Sequence, residues 1–339
     1  MRVEEYDYTL PADLIAQEPV RPRDASRLLV LHRGTGAIEH RKFRHVVEYF
    51  RPGDLAVFNE TRVIAARLLG EKAGTGGRVE VLLLREREPD VWEAAVKPGR
   101  RLRPGAHVAF EAGLTGEIIA GTPGGGRLIR FEARGDLRRA LRSAGEIPLP
   151  PYVHRPLQRP EHYQTIFARV NGSSAAPTAG LHFTPRVIGA LRARGVAMAF
   201  VTLHIGLATF RPIRVENVED HDMHSEYCVV PPRTVEMIRR ARNAAGRVIA
   251  VGTTTARALE SAAARGALRP FAGETSLYIT PGRRFKVLDG LLTNFHMPRS
   301  TLLVLLCAFA GRENMLRAYR EAVERRYRFL SFGDAMLVI

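Results

Sequence analysis

Apolar positions recur along this chain with two different periods, and the period changes partway. Near the start, Leu28-Leu29-Val30-Leu31 is a short apolar run followed by Arg33-Gly34-Thr35-Gly36, which predicts a strand entering a hairpin turn. A short helix is expected over 12–16. Phe43, Val46, Val47 and Phe50 share one helical face, so a helix is expected over 43–50, stopped by Pro52-Gly53. Residues 55–58 read as a buried strand.

From about Val63 to Leu149 the texture is different. Apolar runs at 79–84, 91–96, 106–110 and 128–131 are separated by Gly74-Thr75-Gly76-Gly77, Lys97-Pro98-Gly99 and Pro123-Gly124-Gly125-Gly126. Short strands at this spacing predict a small β-barrel. Ile147-Pro148-Leu149-Pro150-Pro151 then reads as a stiff, extended linker.

Beyond it, strands and helices alternate. Thr184 caps a helix with Pro185 at its first position, and Gly195 ends it. Strands are expected at 196–203, 248–251, 276–279 and 288–292. Helices are expected at 234–245 (closed by Gly246), 256–264, 302–310 (capped by Ser300) and 314–326. The aromatic tail 327–336 suits an edge strand or a base-stacking surface. Alternation of this kind argues an α/β layer structure. The expected fold is a mixed α/β body, residues 1–62 and 150–339, with an inserted small β-barrel at 63–149.

Composition sharpens this picture. The chain has 339 residues, 45% of them hydrophobic and 25% charged, enough for a sizeable core. Cys228 and Cys307 are the two cysteines, which excludes a disulfide framework and argues against a cysteine zinc site. The N-terminus MRVEEYDYTL lacks the apolar core of a signal peptide, and the run 302–310 is too short to span a bilayer, so a cytoplasmic, non-membrane protein is expected. The net charge of +16 favours a polyanionic partner such as nucleic acid. Its arginines cluster: Arg100, Arg101 and Arg103; Arg127 to Arg142; Arg283 and Arg284 with Lys286; Arg325, Arg326 and Arg328. An Arg-rich surface serving solubility is the competing explanation.

Chemistry-bearing residues collect in the links between strands and helices. Ala175 to Thr184 contains Thr178 and His182 and leads into a helix start, where free N–H groups can hold an anion. His204 follows the strand 196–203 and can act as an acid or base near neutrality. The stretch 220–227 carries His221, His224 and Glu226; its spacing could supply metal ligands, but a hydrogen-bonding cluster fits better, and Glu226 could face a cation. Gly252-Thr253-Thr254-Thr255 joins a strand to a helix without a P-loop or a G-x-G-x-x-G pattern. Asn294, His296 and Arg299 precede the Ser300 cap. Each segment also suits an ordinary capped loop. Together they gather at one sheet edge, because such loops share an edge in α/β sheets.

Taken in order, the stretches YDYTLPADLIAQEPVRPRDASRLLVL, RPGDLAVFNETRVIAARL, AAPTAGLHFTP, FVTLHIGLATFRPIRVE, HSEYCVVPP, RVIAVGTTTARALESAA, LLTNFHMPRSTLLVLLCAFAG and YRFLSFGDAMLVI resemble the S-adenosylmethionine:tRNA ribosyltransferase-isomerase family of queuosine biosynthesis. The resemblance runs from Tyr6 to Ile339, more loosely over 70–145. Residues 274–279 depart from the family's aspartate-bearing pattern. The resemblance implies a transfer of the ribosyl group of S-adenosylmethionine, with isomerisation, onto 7-aminomethyl-7-deazaguanine at the tRNA wobble position. Epoxyqueuosine forms, and adenine and methionine leave. S-adenosylmethionine is then a consumed substrate, and no further cofactor or metal is needed.

On that reading His182, His204, His224 and His296 are the pool of acids and bases. Arg23, Asp24, Arg62 and Arg257 are candidates for polar substrate contacts. Thr253, Thr254 and Thr255 are candidates for the methionyl carboxylate or ribose hydroxyls, with Thr178, Thr184, Glu226, Asn294 and Arg299 beside them. The partner is the tRNA anticodon stem-loop, and the arginines of the barrel are expected to meet its phosphates. The rivals are a non-catalytic RNA-binding module, a metal hydrolase built on His221 and His224, and a methyltransferase.

Overall fold

The computed structural model describes residues 1–122, 125–206, 209 and 212–339. Pro123 and Gly124 of the expected turn, and Leu207, Ala208, Phe210 and Arg211 beyond the expected strand 196–203, lie outside the described residues. The chain divides into two compact units: residues 1–61, 150–170 and 176–339 form a body, and residues 62–149 with 171–175 form a second unit.

The body begins with the hairpin β1 (Arg27–Leu31) and β2 (Ile38–Lys42), followed by the wholly buried β3 (Leu55–Asn59). The segment expected as a helix at 43–50 is a 3-10 run, Phe43–Tyr49, and the one at 12–16 shrinks to the single turn Ala12–Leu14. Burial decides the first case: Phe43, Val46 and Phe50 still point into the core, which a tight seven-residue 3-10 run also permits. The chain then leaves the body through β4 (Thr61–Val63).

In the second unit, β5 (Arg67–Lys72), β6 (Arg78–Glu88), β7 (Val91–Lys97), β8 (His107–Phe110), β9 (Leu114–Gly121) and β10 (Arg127–Ala133) pair antiparallel. Pairing of β5 with β8 closes them into a barrel. Leu68, Val81, Ala94, Ile118, Ile129 and Phe131 fill it, supplied by the inward positions of strands of period two. Closure removes the exposed edges that an open sheet would leave. The helix α1 (Leu137–Ala144), unforeseen in the sequence, is capped by the Asp136 carboxylate, which accepts from Arg139 N at 2.6 Å. The two-residue β11 (Gly145–Glu146) adds to β5.

After β12 (Val170–Ser173), the body resumes with α2 (Pro185–Ala193), β13 (Ala197–Leu203), β14 (Glu226–Val230), α3 (Pro232–Asn243), β15 (Val248–Val251) and α4 (Thr253–Ala262). It finishes with β16 (Phe271–Thr275), β17 (Gly290–Asn294), α5 (Thr301–Ala310), α6 (Arg312–Glu324) and β18 (Ala335–Val338). Among the described residues, nine strands make one mixed sheet in the order β16-β14-β13-β3-β15-β17-β18-β1-β2. Its centre, β13-β3-β15-β17, is parallel. Phe58, Phe183, Leu191 and Ile249 anchor the core beneath it. Such doubly covered parallel strands need the continuous apolar runs this sequence has at 55–58 and 248–251.

Two expected strands move. The strand placed at 276–279 lies at Phe271–Thr275, antiparallel to β14. The carbonyl of Leu277 accepts from Arg257 Nε at 3.0 Å, so a side chain takes the place a strand neighbour would have. The C-terminal strand, expected at an edge, sits inside the sheet between β17 and β1. Two glycines are required by geometry. Gly252 has φ +97 between β15 and α4, and a Cβ on Gly246 would lie 2.1 Å from the Gly53 carbonyl oxygen. The helix expected at 256–264 starts three residues earlier, because the Gly252 carbonyl already accepts from Ala256 N at 3.1 Å.

Candidate active site

The four central parallel strands present their carboxyl ends at one edge of the sheet, the usual place for a site in an open α/β sheet. β3 ends in Asn59, which is buried. Its Nδ2 donates to the Leu203 carbonyl at 2.9 Å and to Thr254 Oγ1 at 3.3 Å, and its Oδ1 accepts from Leu203 N at 3.1 Å. One side chain therefore ties together the ends of β3 and β13 and the first turn of α4.

A cleft opens at this edge. Its wall includes Thr178, Thr253, Thr254, Thr293, Asn294 and His296, with Tyr152 and Ser331 from distant segments. A smaller recess of about 350 Å³ shares Thr253 and Thr254 and adds Glu226, Arg257 and Tyr278. The helix α4 starts without a side-chain cap, so its first-turn N–H groups are open to a bound anion.

Of the four histidines, His296 alone is in the cleft lining among the described residues. Its Nε2 is 2.8 Å from Thr293 Oγ1 and its Nδ1 takes no partner among the described residues. Tyr8 donates to its carbonyl, and its own N donates to Tyr319 Oη at 3.0 Å, so the backbone is clamped on both sides. Burial lowers its pKa to about 3, which keeps the ring neutral. His182 lies in the core, stacked on Phe43 with ring centroids 5.0 Å apart. Burial, then Arg23 and Arg328, lower its pKa to about 3 as well.

Both nitrogens of His182 are engaged: Nδ1 is 2.9 Å from Ser26 Oγ and Nε2 is 3.1 Å from Asn294 Nδ2. Asn294 Nδ2 also donates to the Leu330 carbonyl at 3.3 Å, and Thr178 Oγ1 donates to Asn294 Oδ1 at 2.9 Å. A carbonyl only accepts, so the amide's orientation is fixed, and His182 must accept at Nε2 and carry its proton on Nδ1. His182 thus positions Asn294, and Asn294 with Thr178 meets the cleft.

The other two histidines are outside the lining of the cleft and of the recess. His204 Nδ1 is 2.7 Å from Thr61 Oγ1, its ring stacks on Tyr227, and burial lowers its pKa. His224 Nε2 lies 3.1 Å from Thr209 Oγ1 and 3.3 Å from Glu226 Oε1. Glu226 and Arg257 are both buried and pair at 2.6 Å. Glu226 Oε1 accepts from Gly206 N and Thr209 Oγ1, each at 3.0 Å. Burial pushes the Glu226 carboxyl up, but His224, the Arg257 charge and the Gly206 N–H outweigh it and hold the pKa below the usual range. Both oxygens are engaged, so Glu226 braces the recess rather than making the free cation contact expected of it. Arg257 also donates to the carbonyls of His224, Thr275 and Leu277.

The remaining candidates scatter. Thr255 is buried and donates to the Val251 carbonyl at 2.7 Å, which turns it away from substrate work. Thr184 caps α2 and donates to Asp24 Oδ2 at 2.8 Å; Asp24 is buried and also pairs with Arg186. Arg299 is exposed and pairs with Asp7. Arg62 is exposed in β4 and belongs to the second unit. Arg23 is half-buried over Phe332. His221 packs against Tyr278. Among the described residues, no three His, Cys, Asp or Glu side chains gather as a metal set, and no helix is long and apolar enough to cross a membrane. Both cysteines are buried and free.

A family model described as queuosine biosynthesis protein matches residues 3–338. The chain belongs to the queuosine biosynthesis protein family. Among its relatives in the family is the S-adenosylmethionine:tRNA ribosyltransferase-isomerase of Symbiobacterium thermophilum, 54% identical over the full length of both chains. The protein of the same name from Moorella thermoacetica is also 54% identical over the full length of both. A crystal structure of S-adenosylmethionine tRNA ribosyltransferase from Thermotoga maritima superposes with a TM-score of 0.58 at 40% identity, covering 99% of this chain and 100% of that one. The mixed α/β class with its closed barrel is therefore the architecture of an enzyme family of queuosine biosynthesis.

In this family member, several wall residues had no signature in the sequence. Tyr152 follows two prolines and reaches the cleft through its hydroxyl, 2.8 Å from Ser331 Oγ. Behind the wall, Asn59 ends the buried strand β3 and Thr61 begins β4. Tyr278 lies in the segment that departs from the family pattern, yet it lines the recess. A polar residue ending a buried apolar strand is the one signal that could have found Asn59.

Proposed function

We propose that this chain transfers and isomerises the ribosyl group of S-adenosylmethionine onto the aminomethyl nitrogen of 7-aminomethyl-7-deazaguanine at the tRNA wobble position. The product is epoxyqueuosine, and adenine and methionine are released. Support comes from the names of the relatives and from one observation in particular. A neutral imidazole whose Nδ1 has no partner among the described residues, that of His296, stands in a cleft beside an uncapped helix start.

The chemistry suits that wall. The sulfonium acidifies the adjacent 5′ carbon and makes methionine a good leaving group. A base must take the 5′ proton, another proton must leave the attacking ammonium, and an acid must assist adenine. Neutral His296 carries one ring proton; in the tautomer that donates it from Nε2 to Thr293 Oγ1, Nδ1 is left as the acceptor. The N–H groups at Thr253 and Thr254 suit the methionyl carboxylate. Thr178 and Asn294 suit ribose hydroxyls. The donor itself supplies the driving force, so no cofactor is invoked. The wobble base lies in a single-stranded loop and can be turned out into the cleft.

The experiment is direct. The protein is incubated with S-adenosylmethionine and an anticodon stem-loop carrying the deazaguanine amine. Free adenine and a mass gain on the RNA are expected. Intact donor, or transfer of its methyl group alone, contradicts the reading.

A further inference from the structure

Three arginines of the body lie near one another, and among the described residues none of them pairs with an acid. Arg23 is half-buried; its guanidinium carbon stands 5.7 Å from the centroid of the Phe332 ring, and its Nη2 donates to the His162 carbonyl. Arg21 Nη2 donates to His162 Nε2, and Arg328 Nη2 donates to the Glu18 carbonyl. Nearby acids in the sequence pair with other cations: Asp24 with Arg186 at 3.1 Å through Oδ2 alone, its buried Oδ1 having no partner among the described residues, Asp334 with Arg27 at 3.2 Å, and Glu18 with Arg155 at 3.6 Å. Exposed Glu161 pairs with none of the three. A carbonyl or an imidazole takes one N–H donor of each, and among the described residues no carboxylate pairs with any of the three.

The cluster feels its own field. Burial, then Arg21 and Arg328, lower the Arg23 pKa to about 10. Burial, then Arg21, Arg23 and Arg159, lower that of His162. Like charges brought together at a half-buried spot are unfavourable unless an anion joins them. The place also fits a substrate. The segment 328–332 carries Arg328 and Phe332 into the cluster and Leu330 and Ser331 into the cleft wall. Planar guanidinium groups arriving from different segments match the oxygens of a phosphate.

We propose that Arg21, Arg23 and Arg328 form an anion subsite that takes a backbone phosphate of the RNA substrate, beside the nucleotide delivered to the cleft. This rests on the tRNA reading above. Phosphate contacts of this kind fix register and carry no sequence preference.

The test compares wild type with Arg21→Gln, Arg328→Gln and the lysine versions of both. Affinity for the anticodon stem-loop is measured between roughly 50 and 200 mM salt, the range over which phosphate contacts show. Affinity for S-adenosylmethionine is measured alongside. Each glutamine variant is expected to bind RNA about tenfold more weakly and to lower the salt slope by about 0.7 to 0.9. The lysine variants keep the slope, and donor affinity stays within about twofold. An unchanged slope in both glutamine variants, with the wild-type slope intact, overturns the subsite and leaves the tRNA reading standing. Loss of donor affinity with an unchanged slope assigns the cluster to the donor's carboxylate and also overturns it. A flat salt response in wild type removes tRNA docking and the subsite together. Arg21 is exposed, so its variant carries the test if Arg328→Gln does not fold.

Discussion

Body and barrel both carry many arginines, yet they use them differently. In the barrel, Arg67 pairs with Glu80 and Glu146, Arg87 with Glu93, and Arg130 with Glu117. Arg127 donates to the carbonyls of Gly99, Leu102, Gly125 and Gly126, which makes it a clasp for two loops. Arg138 pairs with Glu86, and Arg101 and Arg139 are exposed. In the body, Arg257 is buried on Glu226, and Arg21, Arg23 and Arg328 are gathered without an acid. The sheets differ in the same way. A closed antiparallel barrel has no free strand ends of one sense, whereas four parallel strands present theirs at one edge. Function is therefore better located by where charge and polarity are buried than by where arginine is frequent.

The largest expected effect is on acid stability. The pKa values of His182 and His296 are lowered from 6.5 to about 3, so the unfolded chain binds protons that the folded body does not. Their contribution is present above pH 6.5 and is lost as pH falls toward 3. Each histidine makes the slope roughly 1.4 kcal/mol per pH unit in that window. The barrel's one histidine, His107, is exposed. Hydrogen exchange corrected for intrinsic rate should show the body peptides opening first as pH falls from 7 to about 4. Equal loss of protection in both units contradicts this.

Next in size is the buried pair. Arg257→Met leaves Glu226 charged and alone and should destabilise the body by about 3–5 kcal/mol, read by denaturant melts. Retention of wild-type stability in that variant removes the bracing account of Glu226. Asn294→Ala and His296→Ala should each slow single-turnover adenine release by about 100-fold, with the fold intact by circular dichroism. His182→Ala should act through Asn294: it should slow the step but leave the shape of the pH–rate profile unchanged. A shift in that profile would make His182 a proton carrier. The smallest effect belongs to the barrel, where Glu80→Gln should cost at most about 1 kcal/mol, because the Arg67–Glu80 pair is partly exposed.

Much of this was legible because it is local. Thr184-Pro185 and Ser300 announce α2 and α5, and apolar runs announce β3 and β15. Gly and Pro turns between short strands announce the barrel. What was hidden depends on pairing between distant segments. Phe271–Thr275 is a strand because β14 lies beside it, not because of its own sequence, which contains a glycine and a glutamate. β18 is central because β17 and β1 flank it. The four histidines look alike as letters in a chain; only burial separates His296 in the cleft wall from His182 behind Asn294. Tyr152 and Ser331 meet across 179 positions, which no local pattern encodes.

The central claim is that the donor sits at the carboxyl edge of the body's parallel strands. Calorimetric titration of S-adenosylmethionine tests it most directly, using wild type, Asn294→Ala, His296→Ala and the barrel double variant Arg139→Gln/Arg142→Gln. Donor affinity should fall at least tenfold in the two body variants and stay at the wild-type value in the barrel variant. Full affinity in both body variants, or its loss in the barrel variant, would contradict the account.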